Sequence, residues 1–138
     1  MLQNRDEIRR VYIDVWEKLQ QGALLEPMES VIASVIQLHP EYHDLLHQGT
    51  AAQQAEFSAE AGHSNPFLHM GMHIALREQT ATDRPTGISQ IHQQLSVRLG
   101  QHEAEHAMME CLGQALWQAQ RNNTLPDEQA YLECLKRV

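Results

Sequence analysis

Residues 101–122, QHEAEHAMMECLGQALWQAQRN, decide the fold class of this chain. On a wheel of about 100° per residue with His102 at zero, Ala104, Met108, Cys111, Leu112, Ala115 and Ala119 fall between about 180° and 280°. Leu116 and Met109 carry that apolar arc toward zero, and the plainly polar sector (Glu103, Gln114, Gln118, Arg121) is narrow. A 3.6-residue period sustained over this length is a helix, and a helix apolar round most of its circumference is a central one. The same stretch spaces His102, His106 and Glu110 four residues apart, so they climb one side of the helix. They flank the buried arc with Trp117 beneath them, which points the ladder inward or into a cleft.

Outward from this helix the same periodicity continues. Toward the N-terminus, Gly100 separates it from a stretch carrying Ile88, Ile91, Leu95 and Leu99, and Asp83-Arg84-Pro85-Thr86-Gly87 is a turn. Asn65-Pro66 opens a helix that runs to about Ala81. Thr50 begins a weaker segment rich in Ala and Gln; before it, Pro40 starts a short helix over about 41–47, with His39 at a cap-like position. Pro27 suits the first turn of a helix bearing Val31, Ile32, Val35 and Ile36. Asn4 caps the first helix, whose Ile8, Val11, Tyr12, Val15, Trp16 and Leu19 share a face before Gly22 stops it. Toward the C-terminus, Leu125-Pro126-Asp127 caps a last helix. No alternating strand pattern, repeat or low-complexity run interrupts this. The expectation is all-α: a single-domain irregular helical bundle of about six or seven helices spanning residues 1–138.

Composition narrows the function. A chain of 138 residues with 42% hydrophobic content can bury a real core. No apolar run approaches the ~20 residues that a membrane helix needs. A formal charge of −8 with only ten Lys and Arg argues against nucleic acid, which demands clustered cations. The N-terminal order Met-Leu-Gln-Asn-Arg-Asp-Glu is unlike a secretory signal, so the expected location is cytoplasmic and no membrane partner is implied. Cys111 and Cys134 lack a CxxC spacing and read as separate reduced thiols on apolar helix faces. A homodimer is the default oligomer. No residue selects a small-molecule ligand.

The unusual entry is histidine, present nine times. His69-Met-Gly-Met-His73 makes a second four-residue clamp on a helix that is also apolar nearly all round. An inward polar group without a partner costs on the order of 1–3 kcal/mol. Imidazoles and a carboxylate converging in a core must therefore satisfy one another, meet water or share an ion. The expected site is a divalent transition metal, zinc or iron, held by His69, His73, His102, His106 and Glu110, with His39 and His43 as additional candidates. His47, His63 and His92 are expected to face solvent.

Other readings compete. The histidines can form a metal-free polar network in an interaction or structural module. His102-Glu103-Ala104-Glu105-His106 matches HExxH, the zinc-protease pattern, but no strand exists to align a peptide beside it. A di-iron bundle wants Glu-x-x-His on two helices; Glu103 with His106 gives one, while Glu60 with His63 sits by Gly62 and Pro66 at a helix end. No Ser-His-Asp order, phosphate loop or dinucleotide fingerprint appears, so no catalytic residue is assigned and the question of an enzyme stays open.

Six segments taken together carry a resemblance: His39-Pro-Glu-Tyr-His43, Asn65-Pro-Phe-Leu-His69-x-x-x-His73, Asp83-x-Pro85-x-Gly87-Ile88, His106-x-x-Met109-Glu110-Cys111-Leu112, Trp117-x-Ala119-Gln120-Arg121 and Pro126-Asp127. Over nearly its whole length the chain resembles a family of small proteobacterial helical proteins known only as a domain of unknown function. The resemblance implies that His39, His43, His69, His73, His102, His106 and Glu110 belong to the family pattern. It implies no activity and no substrate.

Overall fold

The first helix, α1 (Arg5–Gln21), buries Tyr12, Ile13, Val15 and Trp16 and ends where Gly22 turns the backbone to φ +67°. A side chain at Gly22 would be strained in that left-handed conformation. The computed structural model describes residues 5–57 and 65–138. Asn4, Glu60 and His63, named above as a cap and a partial di-iron motif, lie outside the described residues. These residues hold eight α-helices, one 3-10 turn and no strand. They divide into two units, one up to Ile74 and one from Ala75 onward, with the boundary inside a single helix.

In the first unit, α1 packs against α2 (Pro27–Gln37), α3 (His43–His47) and α4 (Thr50–Gln54). Pro27 occupies the first helical position of α2, and Glu26 and Glu29 form a reciprocal cap over its open N–H groups. The core joins Tyr12, Ile13, Val15 and Trp16 to Ile32, Ala33, Val35 and Ile36, with Leu46, Ala52, Phe67 and Met70. Each fully buried aliphatic contributes about 1.5–3 kcal/mol. Arg9 belongs to this interior. Its guanidinium donates to the carbonyls of Gln53 (3.0 Å) and Ala55 (2.7 Å) and lies over the rings of Phe57 and Phe67. The segment expected as one short helix and a crossing is a 3-10 turn (Pro40–Tyr42) followed by α3 and α4, which raises the helix count above six or seven.

The long helix α5 (Pro66–Thr82) spans the boundary. Asn65 Oδ1 accepts from the backbone N–H of Phe67 and Leu68, capping the end that Pro66 opens. In the second unit, α6 (Ile88–Leu99), α7 (Gln101–Asn122) and α8 (Glu128–Lys136) pack on one another. Asp83 accepts from the N–H groups of Gly87 and Ser89 at the head of α6. The Ser89 N–H first, then that of Gly87, hold its carboxyl below the ordinary range. Gly100 at φ +87° closes α6 and opens α7, and Asp127 caps α8 by accepting from Ala130 N–H. Most of the apolar arc read from 101–122 is buried (Ala104, Met108, Met109, Cys111, Leu112 and Ala119), but Ala115 is half-buried and Leu116, expected to extend the arc, is 44% exposed.

Two expectations are corrected. Cys111 and Cys134 are joined, with their Cα atoms 5.8 Å apart, so they are not separate thiols. Sequence spacing hid this because the pairing depends on α8 folding back along α7, which sets one apolar face against the other. Trp117 does not lie beneath a buried ladder. It is 56% exposed, and the Arg121 guanidinium stands 5.1 Å from its ring centroid one turn on. An indole that covers a cation at the surface satisfies its apolar face without entering a core. Among the described residues, no helix is long and apolar enough to cross a membrane.

Candidate metal centre

Two chain segments of the first unit bring three histidines together. The first is the junction between α2 and the 3-10 turn. Pro40 cannot continue α2, so the helix ends with carbonyls that need partners. His39 Nδ1 lies 2.7 Å from the carbonyl of Val35, and His43 Nε2 lies 2.9 Å from that of Ile36. A carbonyl only accepts, so both ring nitrogens donate. This sets the tautomers. His39 carries its proton on Nδ1 and its lone pair on Nε2, the arrangement by which a backbone carbonyl orients a metal-binding imidazole. His43 carries its proton on Nε2, and its ring packs 4.5 Å from Trp16.

The second segment is the first half of α5, where His69 and His73 rise one turn apart. His73 is fully buried and His39 is 1% exposed; His69 is half-buried. The ring centroids of His39 lie 5.1 Å from His69 and 4.8 Å from His73, and those of His69 and His73 lie 5.0 Å apart. One ligand nitrogen from each falls within 4.8 Å of the others. Tyr42 lies parallel to the His39 ring at 5.3 Å, and burial, then Glu41, raises its phenol above the ordinary value. It therefore flanks the set as a neutral wall.

In the second unit, His102, Glu103 and His106 likewise offer ligand atoms within 4.8 Å of one another. The imidazole centroids are 4.2 Å apart, and His106 Nδ1 lies 3.7 Å from Glu103 Oε1. Glu110, one turn beyond His106, is exposed and belongs to neither set. His47 is exposed and accepts from the Trp16 indole N–H at 3.1 Å, while half-buried His92 lies 3.4 Å from Ser96 Oγ.

The structure thus gathers His69, His73 and the additional candidate His39. It keeps His102 with His106 and occupies His43 at a helix end. Sequence reasoning missed Glu105, which is 1% exposed and pairs with Arg77 Nε at 3.2 and 3.4 Å. On the wheel it falls at about 300°, between Leu112 and Leu116, which was the available signal. Its partner, one turn beyond His73 on α5, cannot be found from spacing.

Neither a curated protein nor a solved structure gives a significant match to the chain. A family does match, described as a domain of unknown function (DUF1841), over residues 4–137, nearly the full length read above from six short segments. With its capped helices and its paired histidine sets, the chain belongs to the DUF1841 family.

Proposed function

We propose that the protein binds a divalent transition metal, zinc or iron, through His39, His69 and His73. The observation that supports this reading is the convergence of three imidazoles from two chain segments, one of them held in a ligating tautomer by the Val35 carbonyl. Tetrahedral zinc with nitrogens at 2.0–2.1 Å sets its ligand atoms about 3.3 Å apart. Ligand atoms already within 4.8 Å of one another reach that spacing by small ring rotations. Three imidazoles leave a coordination position open. Zinc held there would lower the pKa of a bound water, which is the chemistry of hydrolases, whereas iron would support oxygen chemistry or metal sensing. Glu110 is left out of the set because it is exposed.

The competing reading is a metal-free cluster that serves packing or a partner protein. The edge-on contacts of His69 with His39 and with His73 favour it, since imidazoles stack this way without an ion. His69→Gln separates the two, because His69 is only half-buried and its replacement leaves the core intact. Zinc should raise the melting temperature of the wild-type protein by several degrees and that of the variant far less. Equal shifts in both proteins, or none in either, would overturn the metal reading.

A further inference from the structure

The bridge between Cys111 and Cys134 ties α8 to α7 at the wall of a cavity of about 220 Å³. Both of the chain's cysteines are in it. The two sulfurs are not equivalent, because Cys111 is 3% exposed whereas Cys134 is half-buried. We infer that Cys134 is a thiol-exchange site: a small zwitterionic peptide thiol of the glutathione type enters this cavity, forms a mixed disulfide with Cys134 and displaces Cys111.

Three observations carry this. The first is access. Both cysteines line the cavity, and its wall also holds Gln114, Gln118, Asp127 and Arg137, all exposed, so the cavity opens to solvent. Of two bridged sulfurs, the accessible one takes the attack and the other leaves. The second is order along the helices. Gln114 and Gln118 stand one and two turns past Cys111 on α7, and Arg137 stands one turn past Cys134 at the end of α8. That spacing sets them on the same side of each helix as its cysteine. The third is the chemistry of the wall. Arg137 offers a cation to a carboxylate, and the two carboxamides donate and accept as a peptide requires. Asp127 offers an anion to an ammonium group; its Oδ1 caps α8 through the Ala130 N–H, and a carboxylate has acceptor positions to spare. An uncharged thiol gains nothing from the two charges.

The step exchanges one disulfide for another. The incoming thiolate bonds Cys134 Sγ as the Sγ–Sγ bond breaks, and that electron pair stays on Cys111 as its thiolate. A guanidinium in the same cavity favours the incoming thiolate over its thiol. A second small thiol then attacks the sulfur of the first, which releases the small disulfide and leaves Cys134 reduced. Two electrons pass from two small thiols to the protein pair. Once opened, α8 is held without a covalent link, by the burial of Tyr131 and Leu135 and by the Tyr131 hydroxyl donating to Gln79 Oε1. This inference does not depend on the reading given for His39, His69 and His73.

The test exposes the oxidised protein to glutathione, quenches it by alkylation and maps the adducts by peptide mass spectrometry, with β-mercaptoethanol as the uncharged comparison. Early adducts should sit on Cys134 at least about tenfold over Cys111, as expected when one sulfur is shielded. The opening rate should rise with glutathione concentration. Each thiol's rate is expressed relative to its rate with the unfolded oxidised chain. On that scale, opening by glutathione should fall about two- to fivefold in R137Q, the size of one exposed charge pair, and opening by β-mercaptoethanol should not change. Adducts on Cys111, or shared evenly between the two, would overturn the inference. So would a rate independent of thiol concentration, since the chain would then have to unfold first. An R137Q effect that is absent, or equal for both thiols, would overturn it as well.

Discussion

Replacing Arg77 by methionine should destabilise the second unit more than a surface ion pair ever would. Glu105 is 1% exposed and Arg77 18%, and the guanidinium Nε reaches both carboxylate oxygens at 3.2 and 3.4 Å. Removing the cation takes the Arg77 charge away from a buried carboxylate, and breaking a buried pair on one side costs about 3–5 kcal/mol. At about 3–4 °C per kcal/mol for a chain of this size, the melting temperature should fall by roughly 9–20 °C. The pair as a whole is a different quantity, because desolvation of both charges offsets most of their attraction. The double variant Arg77→Met with Glu105→Leu should therefore recover to within about 1–2 kcal/mol of the wild type. Chemical denaturation of the four proteins closes the cycle. A loss under about 1 kcal/mol for Arg77→Met would show that Glu105 does not rest on this pairing, and the reasoning would be wrong.

Further outcomes follow from single features. Cys111→Ser releases a clasp between residues separated by 23 positions and, on loop entropy, should lower the stability of oxidised protein by about 3 kcal/mol, with no effect once the wild type is reduced. Gly71→Ala should stabilise by up to about 1 kcal/mol in denaturant titration, because among the described residues an added Cβ meets only Tyr12 Oη at 3.5 Å and alanine is the better helix former. Asp83, whose carboxyl is held low chiefly by the Ser89 N–H, supports the head of α6 above the ordinary carboxylate range and loses that effect as pH falls through its depressed value. Amide exchange near Gly87 and Ser89 should accelerate only there, and Asp83→Asn should remove that pH dependence.

The helices were legible because their boundaries are written in local chemistry. Pro27, Asn65-Pro66, Asp83 and Asp127 sit at the starts, and Gly22 and Gly100 at the stops, where caps or positive φ require them. The apolar arc of α7 followed from periodicity alone. What the sequence did not show depends on which helices meet. The bridge between Cys111 and Cys134 and the pair of Arg77 with Glu105 both join residues more than twenty positions apart. His39 entered as a cap residue, and its ring does bond a helix-end carbonyl, yet the same ring also offers a ligand atom beside those of His69 and His73. Trp117 misled because an aromatic near a polar ladder was read as a floor, when it covers Arg121 at the surface.

The central claim concerns an ion, and its most direct measurement is elemental analysis of untagged protein purified without a metal column, wild type beside His39→Ala. The account predicts at least one equivalent of zinc or iron in the wild type, and at least one equivalent less in the variant after both are exposed to the same buffered zinc. Less than a tenth of an equivalent in the wild type, with no uptake on adding zinc or iron, or equal retention by His39→Ala, would contradict it.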